Sequence, residues 1–155
     1  MLHDSESPML TRLVYHSENH LGANGDRMIP KLNAIMDASV RNNARDKITG
    51  ALLFDTLWFL QILEGEREIV SAALRRIVAD ERHSDVTIME AQPIAERGFG
   101  QWSMGIAMLR GEQAPLLERH GLGARLDPRR MSGDQAVALA RDLSSSLQSR
   151  MAAAA

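Results

Sequence analysis

The chain has 155 residues, of which 45% are hydrophobic and 25% charged, with a net charge of −2. That length suits one domain burying roughly 68–70% of its extended-chain surface, and the composition sits at the globular average rather than the disordered extreme. The near-balanced charge supplies no basic field for nucleic acid or an anionic membrane, no run of ~18 apolar residues marks a membrane span, and the absence of cysteine removes disulfides, thiolate nucleophiles and thiolate metal ligands.

Residues 1–9 lack periodicity and contain Pro8, which predicts a loose arm. From Leu10 to Ser17 the alternation of Leu10, Arg12, Val14 and His16 with Thr11, Leu13, Tyr15 and Ser17 gives a strand apolar on both faces, as an inner strand would be. Turn residues Gly22, Asn24 and Gly25 follow, with Asp26 as a candidate helix cap. A helix is expected from Arg27 to Asn43, its apolar face made by Ile29, Leu32, Ile35, Met36 and Val40 and extended by Ser39 and Asn43. Ala44 to Lys47 then reads as a polar connection.

Residues 49–66 read as two apolar strands joined near Asp55 and Thr56 and closed by Gly65. Gln61 interrupts the second of them. A buried amide costs roughly 1–3 kcal/mol unless its donors and acceptors are paired, so backbone groups of a bend or edge, or a ligand, must satisfy it. A second helix is expected from Glu66 to Asp80, with Ile69, Val70, Ala73, Leu74, Ile77 and Val78 toward a core. Val86 to Ile94 and Gln101 to Leu109 suit two further strands, separated by a segment bent at Gly98 and Gly100. The expected fold class is therefore α+β, a ferredoxin-like βαββαββ sheet with two helices on one face. Beyond it, Pro115, Gly121, Gly123 and Pro128 punctuate a connector, and Ser132 with Gln135 forms a capping-box pattern opening a helix to about Met151. The stripe of Val137, Ala140, Leu143, Leu147 and Met151 must cover something, either the sheet's open face or an interface.

No catalytic motif is visible. His3, His16, His20, His83 and His120 offer no helical pair with the carboxylate set of a zinc site, and a Ser17, His83 and Asp80 grouping comes with no nucleophile elbow. The polar residues that gather on core-facing positions are amides and hydroxyls: Tyr15, Asn42, Asn43 and Gln61. An amide presents a donor beside an acceptor, which fits the edge of a planar heterocycle; each asparagine also suits a helix C-cap, and the sole tyrosine suits a core ring with its hydroxyl on any nearby carbonyl. Arg76 and Asp80, four apart, read as a solvated pair or as partners for a ligand's polar tail, with Arg82 and His83 nearby to receive phosphate charge.

Taken together, Leu13-Val14-Tyr15-His16-Ser17, Asn42-Asn43-Ala44, Ile48-Thr49-Gly50, Phe59-Leu60-Gln61-Ile62-Leu63-Glu64-Gly65, Asp80-Glu81-Arg82-His83 and Trp102-Ser103-Met104 resemble the BLUF family, blue-light sensors that use flavin. The resemblance spans about Leu10 to Leu109. It implies a blue-light photoreceptor with a noncovalent flavin between the two helices, usually FAD, with FMN or riboflavin as alternatives. It places Asn43 at the flavin's ring edge, with Asn42 at the neighbouring family position and Ser39 and Ile35 nearer the ring, takes Arg76 and Asp80 as further contacts, and matches Arg82 and His83 to a further family motif. Tyr15 resembles the family's electron and proton donor and Gln61 its hydrogen-bond relay, while Trp102 and Met104 match the residues that carry the signal toward the surface. With only residues 110–155 following, the short stand-alone type is expected, not itself an enzyme, signalling to a separate protein and forming a homo-oligomer, with Leu143 and Leu147 as candidate contacts. With no membrane span and no charged-then-apolar leader before Leu10, the expected location is cytoplasmic. The readings weighed against it are an acylphosphatase-like hydrolase and a plain ligand-binding regulatory domain on the same scaffold.

Overall fold

The computed structural model describes residues 9–20, 28–80, 83–100, 104–109 and 111–143, and of residues 28–32, 35, 36 and 83 the backbone alone. The elements are β1 (Leu10–Asn19), α1 (Met28–Asp46), β2 (Thr49–Phe54), β3 (Trp58–Glu66), α2 (Arg67–Val78), β4 (His83–Ile94) and β5 (Gly105–Met108), then α3 (Ala114–Arg119) and α4 (Gly133–Asp142), with short 3-10 turns at Gly111–Gln113 and Pro128–Arg130. The strands form one sheet in the order β4-β1-β3-β2-β5. β1 is antiparallel to both β3 and β4, β2 is antiparallel to β3, and β5 joins the edge parallel to β2. This is the expected ferredoxin-like arrangement with one added strand.

Successive residues of a strand face opposite sides, so this sheet divides two cores. Leu13, Tyr15, Leu52, Phe59 and Leu63 face α2 with Val70 and Ala73. Val14, Leu53, Leu60 and Ile62 face the other way, against Leu117, Leu126, Leu139 and Ala140 of the C-terminal segment. The stripe of α4 therefore packs back on the sheet. Each fully buried leucine contributes roughly 1.5–3 kcal/mol, so Leu117, Leu126 and Leu139 together match much of the net stability of an ordinary domain, about 5–15 kcal/mol. The segment after the sheet is part of the fold.

Local chemistry explains the boundaries. Asp55 is buried, and its carboxylate accepts the Leu57 and Trp58 amides at 2.8 Å each, tightening the β2–β3 turn. The same hairpin is unusually close at Gly50 (φ +155°), where an added Cβ would lie 1.9 Å from the Ile62 carbonyl oxygen. In α4 the Ser132 hydroxyl accepts the Gln135 amide and the Gln135 side chain accepts the Ser132 amide, the expected capping box. On the sheet face below it, Arg12 donates to both oxygens of Glu90 at 2.7 and 2.9 Å.

Several expectations need correction. α1 does not end at Asn43 but runs to Asp46, and Lys47 (φ 58°) takes the left-handed position. The Ile48 amide donates to the Asn43 carbonyl at 2.8 Å and the Lys47 amide to Ala44, which is a Schellman ending without glycine. Pro115 stands in the first turn of α3 rather than in a featureless connector, because proline at that place loses no helical hydrogen bond. Val78, expected in the core, is 58% exposed. Leu143, expected as a contact for other proteins, is 6% exposed within the core beneath α4, while Leu147 lies outside the described residues, as do Asp26, Gln101 and Met151. Among the described residues no helix is long and apolar enough to cross a membrane.

Candidate functional site

Tyr15 and Gln61 are directly paired across β1 and β3. Both side chains point to the helical face, and there the Tyr15 hydroxyl donates to Gln61 Oε1. An irregularity in the β1–β4 pairing falls between Val14 and Tyr15, a local feature that re-aims side chains beside it. The other end of the Gln61 amide is also engaged: Nε2 donates to the sulfur of Met104 at 3.5 Å. Met104 is fully buried one residue before β5. The buried amide is thus satisfied by two side chains rather than by backbone groups, one expected answer, and it lies at the wall of a cleft.

That cleft, about 240 Å³, opens between α1 and α2. Leu52, Phe59, Leu63 and Ala73 give it an apolar floor, while Tyr15 and Gln61 on the sheet and Ser39 and Asn43 on α1 supply polar groups. Asn43 is 7% exposed. Its carbonyl is held by the Schellman bond, which fixes the residue in the last turns of the helix with its side chain lining the cleft. Neither Asn42 nor Asn43 caps α1, so the capping alternative for both falls. Asn42 is exposed and lies at the rim. Arg76 and Ile77 of α2 and Asp80, two residues beyond its end, complete the lining, and Arg76 donates to Asp46 of α1 at 3.3 Å, tying the two helices together.

The electrostatics hold the tyrosine neutral. Burial, with a smaller contribution from the negative charge of Asp80, pushes the Tyr15 phenol well above its ordinary value. Tyr15 is therefore a donor, and the oxygen of Gln61 is its acceptor. Turning the amide by half a rotation would set its NH₂ against that hydroxyl and its oxygen against the Met104 sulfur, so the side chain has two unequal arrangements between the same neighbours. An apolar slot with a polar edge of amides and hydroxyls suits a flat heterocycle.

Of the residues expected at the site, Tyr15, Ser39, Asn42, Asn43, Gln61, Arg76 and Asp80 line this cleft and Met104 touches it through Gln61. Arg82, Trp102 and the side chains of Ile35 and His83 lie outside the described residues; the backbone of His83 pairs with Asn19 at the start of β4. Sequence reasoning missed Glu64. It is 1% exposed on the opposite face of β3, and its carboxylate accepts from Thr49 at 2.9 Å and from the amides of Gly98 at 2.7 Å and Phe99 at 3.0 Å. Its place two residues after Ile62, on the same apolar face, was the available signal. His16, also on that face, is 7% exposed with Nδ1 lacking a hydrogen-bond partner, and it meets Trp58 edge-on at 5.7 Å.

The family model described as sensors of blue-light using FAD matches residues 10–105. The chain is 40% identical over 74 residues, 47% of its length, to the photoactivated adenylate cyclase subunit beta of Euglena gracilis. It is 33% identical over 102 residues, 66% of its length, to the blue light- and temperature-regulated antirepressor BluF of Escherichia coli K12. Those matches span 9% and 24% of the relatives' own lengths. In three dimensions it resembles the dark-state structure of BlrB, a BLUF protein, with TM-score 0.71 and 35% identity over 90% of this chain and 98% of that one.

Proposed function

The chain belongs to the BLUF family, the sensors of blue light using FAD, and on that premise we propose that it holds a noncovalent flavin in the cleft between α1 and α2 and reports blue light through the Tyr15–Gln61 pair. The observation that carries this reading is the hydrogen bond from Tyr15 to Gln61 at the wall of a cleft faced by Asn43. The cleft fits the ring system by its chemistry. Leu52, Phe59, Leu63 and Ala73 can pack on a flat apolar body, Asn43 offers a donor and an acceptor to a carbonyl and N–H edge, and Ser39 and Asn42 stand beside it on α1. Arg76 and Asp80 are at the mouth, where the polar tail of FAD, or of the shorter FMN or riboflavin, would leave.

A bound flavin supplies absorption of blue light and an excited state that accepts an electron. Tyr15 is the donor on this reading. It holds its proton at the hydroxyl oxygen against Gln61 Oε1, and the buried position keeps water from competing for that bond. Gln61 is the element with two arrangements, and exchange between them releases or remakes its contact with Met104. Met104 leads into β5, so the exchange is passed to the edge of the sheet, with Trp102 as the neighbouring residue expected to share that role. We assign no catalytic step to the chain. Its output goes to a separate protein, and assembly with a second copy is part of the proposal.

Absorption spectroscopy in darkness and under blue light tests this reading. The protein is expected to carry flavin, to shift slightly to the red on illumination and to recover in darkness, whereas Gln61→Leu binds flavin without the shift. A protein that takes up neither FAD, FMN nor riboflavin refutes the proposal, and a normal shift in Gln61→Leu refutes the role given to that amide.

A further inference from the structure

Glu64 is a buried carboxylate on the side of the sheet away from the cleft. Residues 97–99, in the segment between β4 and β5, wrap around it. Gly98 N–H donates to Oε2 at 2.7 Å, Phe99 N–H to Oε1 at 3.0 Å, and Arg97 reaches back to the Glu64 carbonyl at 3.0 Å and to the Thr49 hydroxyl at 2.9 Å. Thr49 in turn donates to Oε1 at 2.9 Å, which ties β2 into the same knot. Three donors converge on the two oxygens of this one side chain.

The same segment touches β3 again farther on, where Met104 receives the Gln61 amide. β3 therefore grips the segment at two points three residues apart, Gln61 on the cleft face and Glu64 on the C-terminal face. The second grip adjoins α4. A Cβ on Gly98 would lie 2.9 Å from a guanidinium nitrogen of Arg141 and 3.2 Å from Glu64 Oε2, so the backbone at Gly98 lies beside both the carboxylate and the tip of the Arg141 side chain, which is rooted in the last turn of α4.

We infer that Glu64 is a positioning residue for the photoresponse, fixing residues 97–99 so that loss of the Gln61–Met104 contact is delivered through Gly98 to α4 instead of being absorbed in a loose loop. This rests on the sensor reading given above. Residues 97–99 are held by four hydrogen bonds, so a displacement that starts at Met104 meets a fixed backbone at Gly98, beside the Arg141 side chain.

The test uses the full flavin-loaded chain, following the red shift by absorption and the amides of residues 133–142 by hydrogen exchange in light and dark. Wild type is expected to show both the shift and a light-dependent change in α4. Glu64→Gln places an NH₂ group where donors converge, and is expected to keep the shift, because the Tyr15–Gln61 pair is untouched, while reducing the light-dependent difference in α4 at least threefold. Thr49→Val, which keeps the Glu64 side chain but removes one of its donors together with the hydroxyl that accepts from Arg97, is expected to reduce it partially and serves if Glu64→Gln does not fold. A purely structural Glu64 would lower stability without changing the light-minus-dark difference. A wild type that shifts while the variant that folds retains the full response in α4 overturns the role of Glu64 alone, as does a wild-type α4 that does not respond. A wild type without the shift overturns the sensor reading, and this role with it.

Discussion

The bond between Tyr15 and Gln61 can be weighed without light. Tyr15 is 3% and Gln61 7% exposed, so losing one partner leaves the other largely buried at the wall of the cleft. Tyr15→Phe leaves Gln61 Oε1 buried without its donor, and Gln61→Leu leaves the tyrosine hydroxyl without its acceptor. Either orphan costs roughly 1–3 kcal/mol, whereas replacing both partners by apolar groups of similar shape is close to neutral. At about 2 kcal/mol and an m-value of about 2 kcal/mol/M, each single variant should lower the urea midpoint of the flavin-free protein by about 1 M. The double variant should sit nearer wild type than the sum, giving a coupling of about 1–3 kcal/mol. Urea titrations followed by far-ultraviolet circular dichroism measure the cycle. Additive losses would show that the two side chains do not share a buried bond and would remove the basis for treating them as one switching unit.

Three further outcomes follow from other parts of the fold. Burial pushes the His16 imidazole below its ordinary value, with Asp127 opposing and Arg129 assisting; because the folded value lies below the unfolded one, its contribution is complete above about pH 6.5 and is lost as pH falls through the folded value. His16→Phe should therefore lose less stability than wild type between pH 7 and pH 5 in paired thermal melts, and equal losses would contradict that burial. Ser132→Ala removes the hydroxyl that accepts the Gln135 amide at 3.1 Å and should cost about 1 kcal/mol, read as a fall of about 2–4 °C in Tm. Gly50→Ala puts a carbon into the Ile62 carbonyl, and size-exclusion profiles with flavin retention should show loss of the folded protein; a normal profile would mean the β2–β3 approach is looser than described.

Strands and helices were legible where one residue's neighbours along the chain decide the outcome. The alternation through Val14 and Tyr15, the helical spacing of Val70 and Ala73, and the Ser132–Gln135 box are local signals, and each corresponds to the element found. The end of α1 was misread because Lys47, not glycine, takes the left-handed turn, and nothing in its side chain announces that. The start of α3 was hidden because Pro115 reads equally as a breaker and as a first-turn residue. At the site, composition made an amide-edged pocket plausible, and the family resemblance named its use. That Tyr15 stands opposite Gln61 depends on strand register, and that Glu64 binds residues 98 and 99 depends on a loop thirty-odd positions away. Such pairings are set by the whole sheet, which short-range patterns do not encode.

The parity of β3 also restricts how chains of this type can diverge. Inserting or deleting a single residue between Trp58 and Glu66 would exchange the two sides of the sheet beyond the lesion, sending Gln61 toward α4 or Glu64 into the cleft, with Leu60 and Ile62 inverted beside them. Point replacements along the strand can be tried one at a time, whereas a change of length there either inverts the faces beyond it or has to be absorbed by a bulge that breaks the ladder. Length variation in related chains should therefore collect in the connections at the strand ends and spare this nine-residue segment.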